Sequence, residues 1–187
     1  MIKLKYKNIS ISGKIATGTT TLFNNLKYYL QPLGWQFRSS GQIIRQITKE
    51  NIFPAAHLAE DKIHQELERR ARDIFEKKEH WVIEGWLAGF IARDIPSVLK
   101  VLLICSEESL RIDRVVNRDN VTIVEAKKLI KDREESNIKT WSRLYGTDDF
   151  WNPKYYDLVI DTYSSGPLET VGKVLDKLGY SNEIKKL

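Results

Sequence analysis

The stretch ISISGKIATGTTTLFNNL, residues 9–26, constrains the fold more than any other part of the chain. Ile alternates with Ser up to Gly13, which is strand character. Beyond it Leu22, Leu26, Tyr29 and Leu30 recur at helical spacing, and Pro32 and Gly34 close that segment. Between strand and helix, Gly13 and Gly18 bracket four residues. That is the spacing of a phosphate-cradling loop, G-x-x-x-x-G-K-[ST]. Backbone N–H groups in such a loop surround phosphate oxygens, and the helix N-terminus adds partial positive charge. The expected nucleotide-phosphate site is therefore Gly13, Lys14, Ile15, Ala16, Thr17, Gly18, Thr19, Thr20 and Thr21, with the Thr20 hydroxyl on Mg²⁺. One residue departs from the pattern. Thr19 occupies the lysine position and has no charge to offer the β and γ phosphates. Lys14, next to Gly13, is the expected replacement, as in the deviant Walker loops of another ATPase class.

Four more strand candidates follow: WQFRS (35–39), WVIEG (81–85), KVLLIC (100–105) and YDLVIDT (156–162). KVLLIC is apolar enough to be covered on both faces. Helical segments are expected at 41–49, 58–78, 107–118, 122–144 and 167–178. Strands alternating with helices predict an α/β fold with a parallel sheet. The charged helical blocks at 41–78 and 115–147 exceed what crossovers need and are expected to cover a ligand cleft.

At 187 residues one domain is expected. The net charge of +5 suits phosphorylated small molecules or nucleic acid, but the basic residues are interspersed with acidic ones rather than blocked. Nothing resembles a base-reading module, so no nucleic-acid partner is expected. The single cysteine, Cys105, excludes an internal disulfide framework, and His57, His64 and His80 lack shared ligand spacing. No apolar run approaches the length of a membrane span, and the N-terminus has no long apolar stretch of a signal peptide. A cytoplasmic monomer is the expectation.

The later segments RSSGQIIR (38–45), VIEGWLAGFIARD (82–94), LRIDRVVNRD (110–119), DREESN (132–137), RLYGTDDF (143–150) and YYDLVIDT (155–162) add more. In this order the chain resembles the nucleoside monophosphate kinases, nearest to the cytidylate-kinase-like branch typical of archaea. The resemblance runs over roughly residues 6–178. Loops with Thr-Thr-Thr in place of Lys-Ser-Thr occur in that branch. The resemblance implies a P-loop NTPase fold: five parallel strands flanked by helices, a monophosphate-binding helical insert at about 40–78 and a lid at about 114–150. It implies γ-phosphoryl transfer from ATP, with Mg²⁺, to CMP or dCMP. It places Ser40, Gly41, Arg45, Asp61, Gly85 and Trp86 at the acceptor, and Glu84 near the metal through water. It places Arg114 on ATP, and Arg118 and Arg133 on the transferring phosphoryl group. Asp148 falls in its YG-x-D signature.

Two further departures concern cations. The family's EGRLAG is EGWLAG here, so Trp86 replaces an arginine, and Arg93 is the expected substitute. The family's RY is Thr140-Trp141, and Arg143, one turn on, is the expected replacement. Each uncompensated loss costs on the order of 10²–10³ in rate. Two alternatives therefore stand beside the kinase: a nucleotide-binding protein with weak or no activity, and a kinase for another small phosphorylated acceptor, with Trp86 setting specificity.

Overall fold

The computed structural model describes residues 4–48 and 61–180. Five parallel strands form one sheet in the order β2-β3-β1-β4-β5. They are β1 (Asn8–Gly13), β2 (Gln36–Ser39), β3 (Trp81–Glu84), β4 (Val98–Ile104) and β5 (Leu158–Asp161). β1 lies at the centre, pairing with β3 on one side and β4 on the other. The chain moves outward from β1 to β2, returns to β3 and then crosses to the far side of β1. That reversal opens a crevice at the carboxyl ends of the strands, where open α/β sheets bind ligands.

Helices cover both faces: α1 (Thr19–Leu30), α2 (Ser40–Thr48), α3 (Asp61–Lys77), α4 (Ala88–Ile91), α5 (Glu108–Asp119), α6 (Ile123–Tyr145) and α7 (Pro167–Leu178). The short α4 turn is an addition to the expected elements. The helix expected from residue 58 is seen from Asp61, because residues 58–60 lie outside the described residues, as does His57.

The alternation of β1 sorts two cores. Ile9 and Ile11 face α1 and α7, and pack with Leu22, Leu26, Leu99, Leu103 and Val174. On the other face Ile83, Phe75, Phe90, Trp141 and Phe150 pack beneath α3, α4 and α6. β4 buries six of its seven residues, as its apolar run requires. Lys100 is the exception in chemistry. Its ammonium is buried against Asp157 at 3.0 Å and also donates to the Val98 carbonyl at 3.0 Å. The Lys100 backbone N–H donates to the same carboxylate at 2.9 Å, joining the start of β5 to β4. Asp157 thus closes a turn rather than facing the crevice.

β1 also carries the joint that sets α4. Ser12 Oγ accepts from the Gly89 N–H at 2.7 Å. A Cβ on Gly89 would lie 2.3 Å from Tyr156 Cε1, and the Tyr156 hydroxyl is itself fixed by donating to the Phe150 carbonyl. Gly89→Ala is therefore expected to destabilise the protein by about 1–3 kcal/mol, read as a lower denaturant midpoint with an unchanged slope.

Candidate active site

The loop between β1 and α1 is held from behind. All four carbonyls from Lys14 to Thr17 lie within hydrogen-bond reach of a donor. Thr17 Oγ1 donates to Lys14 O at 2.9 Å, Arg111 Nε to Ile15 O at 3.1 Å, and Arg114 Nη1 to Ala16 O at 3.0 Å. The Thr162 hydroxyl lies 3.0 Å from Thr17 O and 3.1 Å from Ile104 O, and serves one or the other. Arg114 also donates to both oxygens of Thr162 at 3.0 Å. With these carbonyls in reach of donors, the loop has N–H groups left to offer an anion, that of Thr17 excepted, which donates to the Lys14 carbonyl at 3.4 Å.

Two backbone positions make this shape possible. A Cβ on Gly13 would lie 2.3 Å from Thr17 Oγ1 and 2.7 Å from Leu103 O. Gly18, the N-cap of α1, has φ 94°. Ala16 has φ 59°, a left-handed conformation that an alanine adopts at a cost.

In front of the loop lies a cleft of about 780 Å³. Thr19 and Thr20 line it with Glu84, Trp86, Arg114, Arg118 and Arg133. Thr19 has a new task here: its hydroxyl donates to Glu84 Oε1 at 2.8 Å. Burial pushes the Glu84 carboxyl above its ordinary value, and the Thr19 and Thr20 hydroxyls pull it back. Arg118 lines the cleft while held by both oxygens of Asp119 at 2.7 Å. Arg133 differs, because its buried Nε has no hydrogen-bond partner. Burial, then the neighbouring Arg118, press its guanidinium below its ordinary value. A buried cationic N–H without an acceptor, on the wall of a cleft, is chemically suited to an anion.

Lys14 stands at the same mouth. Its ammonium lies 3.9 Å from Glu134 Oε2 and 5.2 Å from the centroid of the Trp151 ring. Trp151 donates its indole N–H to the Trp86 carbonyl at 3.0 Å. Trp86 packs edge-on against Trp141, with ring centres 5.5 Å apart. Trp86 is thus part of an aromatic wall continuous with the second core.

The acceptor residues are only partly gathered. Ser40 starts α2 against Gly85, where an added Cβ would lie 1.9 Å from Ser40 Oγ. Gly41 is exposed on the same helix. Arg45 lies on α2, and its side chain falls outside the described residues. Asp61 and Arg143 pair with each other at 2.5 and 2.6 Å, joining α3 to α6, and this holds the Asp61 carboxyl below its usual range. Asp148 is exposed after α6.

The structure does not bring Arg93 to the cleft, against the expectation that it replaces the arginine missing at Trp86. The chain turns after the single turn of α4. Arg93 then donates to the Phe90 carbonyl at 2.8 Å and stacks on the Phe90 ring. It lines a separate depression with Lys5, Lys100 and Lys154, near the amino ends of β4 and β5. Sequence reasoning missed Arg111, Glu134 and Thr162. Arg111 had a signal, since it shares a face of α5 with Arg114, three residues on. Thr162 had another, as the residue following a sheet strand at its carboxyl end.

The sequence profile of the cytidylate kinase-like family matches residues 36–164, more than half of the chain. The chain belongs to the cytidylate kinase-like family. Among its relatives, the cytidylate kinase of Thermococcus sibiricus is 37% identical over 163 residues, covering 85% of this chain and 81% of that protein. The cytidylate kinase of Pyrococcus abyssi is 35% identical over 164 residues, covering 85% and 86%. Among solved structures, an uncharacterized protein from Eubacterium ventriosum superposes with a TM-score of 0.72 at 17% identity, covering 94% of this chain and 99% of that one. A shikimate kinase from Acinetobacter baumannii superposes at 0.59 with 16% identity, covering 92% of each chain. These likenesses place the sheet and its flanking helices in the P-loop kinase fold. The family match begins after the phosphate loop.

Two outcomes follow for the site. Ala16→Gly is expected to raise stability by about 0.5–1 kcal/mol in a denaturant titration, because relief of the left-handed strain outweighs the added freedom of the unfolded chain. Glu84→Gln is expected to raise the melting temperature of the ligand-free protein by about 2–4 °C at neutral pH while lowering turnover on the order of 10²-fold. The stability gain has a defined pH window. The folded Glu84 pKa is raised, so the cost of its ionised form is present above that value. The cost fades as pH falls toward the ordinary 4.5, where wild type and variant converge.

Proposed function

We propose that this chain is an ATP-dependent nucleoside monophosphate kinase that transfers the γ-phosphoryl group of ATP to cytidylate, CMP or dCMP. Family membership makes it a phosphotransferase, and the relatives named above carry the cytidylate assignment. The observation supporting the chemistry is Arg133, a half-buried side chain whose buried Nε has no partner, in a cleft floored by the tied-back loop.

Little covalent work falls to the protein. An oxygen of the acceptor phosphate bonds to the γ-phosphorus as the bond to the bridging oxygen of ADP breaks, so no protein nucleophile is needed. Residues 13–21 hold the phosphates of ATP, with Arg114 keeping the loop in shape. Lys14, Arg118 and Arg133 neutralise the transferring group, and Arg143 joins them when it leaves Asp61. Ser40, Gly41, Arg45, Gly85 and Trp86 hold the acceptor, and Asp61 serves it once freed. Arg93 is left out of this assignment because of its position. Thr20 and Glu84 present hard oxygen donors to one cleft and fit Mg²⁺, held directly or through water. When bound, the ion neutralises phosphate charge.

We assign these roles to one kinase domain, with an insert at 40–78 and a lid at 114–150, working as a cytoplasmic monomer on free nucleotides. No helix among the described residues is long and apolar enough to cross a membrane. Trp86, a ring at an arginine position, is the observation favouring the second reading, a kinase for another small phosphorylated acceptor.

The test is to incubate the protein with Mg-ATP and each nucleoside monophosphate, following ADP and the diphosphate product. Turnover on CMP is expected, and Lys14→Ala is expected to lower it on the order of 10²–10³-fold. Turnover only on another acceptor would move the specificity to the region of Trp86. No turnover on any acceptor, with ATP still bound, would overturn the kinase and leave a nucleotide-binding protein.

A further inference from the structure

Lys14 rests against a carboxylate that the phosphoryl-transfer reading does not use. Glu134 lies on α6 beside Arg133, with its side chain 15% exposed. One of its oxygens accepts from Arg111 Nη2, and Arg111 is as buried as Glu134. The same guanidinium supports the loop through Ile15 O. The other oxygen is 3.9 Å from Lys14 Nζ, whose side chain is 41% exposed. The two contacts therefore differ in kind. A buried guanidinium–carboxylate pair is costly to break, because separation leaves a charge stranded. A stretched pair with a half-exposed lysine contributes about 0–1 kcal/mol and yields to a stronger anion.

On this basis we infer that Glu134 is a positioning residue that parks Lys14, the cation standing in for the lysine absent at Thr19, until the phosphates of ATP draw it away. Arg111 fixes the carboxylate. Trp151, 5.2 Å from the ammonium, supports the same resting position from the aromatic wall. ATP then competes with Glu134 for one ammonium. Arrival of the donor thereby frees one oxygen of a lid-helix carboxylate, and the state of α6 becomes sensitive to occupancy of the loop. The inference rests on the proposed ATP site and goes beyond it in assigning a role to Glu134.

The test is a double-mutant cycle on ATP binding by the full chain: wild type, Glu134→Gln, Lys14→Ala and the double variant, with calorimetric Kd and a thermal melt for each. Glu134→Gln is expected to tighten ATP about threefold, the size of one weak surface pair. In the Lys14→Ala background the same change is expected to have no effect on Kd. A merely structural role for Glu134 would move the melt and would not make its effect on Kd depend on Lys14. Equal tightening with and without Lys14 would overturn the inference and leave Glu134 as a general field on the phosphates. Should Glu134→Gln fail to fold for want of a partner to Arg111, Glu134→Asp keeps the charge while withdrawing it from Lys14. Its tightening must likewise vanish without Lys14. Absence of ATP binding by the wild type would overturn the donor site and this inference together, whereas ATP binding with a flat cycle overturns only the inference.

Discussion

The constraint on which the site depends is the engagement of the carbonyls of Lys14, Ile15 and Ala16, with the Thr162 hydroxyl in reach of that of Thr17. A five-residue turn between a buried strand and a helix cannot point every polar group at a ligand. Here the carbonyls are drawn back by donors from three separate places, Thr17 itself, α5 and the end of β5. Arg111 and Arg114 spend guanidinium nitrogens on main-chain oxygens. The consequence is a loop held without a lysine of its own at the usual position. Thr19, free of that duty, orients Glu84 instead. A lysine at 19 would meet the same carboxylate and form a pair with it. The threonine and the partly buried acid thus belong to one design.

The second core has a similar role on the other side of the cleft. Trp86, Trp141 and Trp151 contact one another, and Trp141 also meets Phe150. This wall ties the loop after β3, the far end of α6 and the segment before β5 into one packed unit. Two of its members fall at or beside positions where the family pattern carries an arginine. The exchange trades charge for rigidity: edge-to-face rings give geometry and burial but offer a phosphate no full positive charge.

Much of this was legible in the sequence, for reasons that differ by element. The five strands and the crossover helices follow from short apolar runs between amphipathic stretches, and the phosphate loop from glycine spacing alone. Those signals are local. The braces on the loop are not: Arg111 is 96 residues from Ile15, and Thr162 is 145 from Thr17. No periodicity links such positions. Only the topology that brings β1, β4 and β5 side by side makes them neighbours. The pairing of Asp61 with Arg143 was invisible for the same reason, although each had been singled out separately. Arg93 shows the converse error. Seven residues beyond Trp86 is close in sequence, but the α4 turn carries the chain toward the opposite end of the sheet.

The distribution of charge in and beside the cleft suits an anionic ligand. Arg118 is paired with Asp119, Arg143 with Asp61, and Lys14 with Glu134. Each cation carries an internal counterion, which lowers the repulsion of gathering so much positive charge in one place. Arg114 spends its donors on the Ala16 and Thr162 oxygens, and Arg133 has no carboxylate pair among the described residues, with Arg118 opposing its charge and Asp119 favouring it. A site that neutralised all its cations internally would have nothing to gain from a phosphate, and one that neutralised none would be difficult to fold. Internal carboxylates in weak or solvent-exposed pairs, together with a half-buried guanidinium that has no carboxylate pair, meet both demands. On the proposed function, the unpaired group would give an anion a favourable first contact, and the yielding pairs would supply further cations as negative charge arrives.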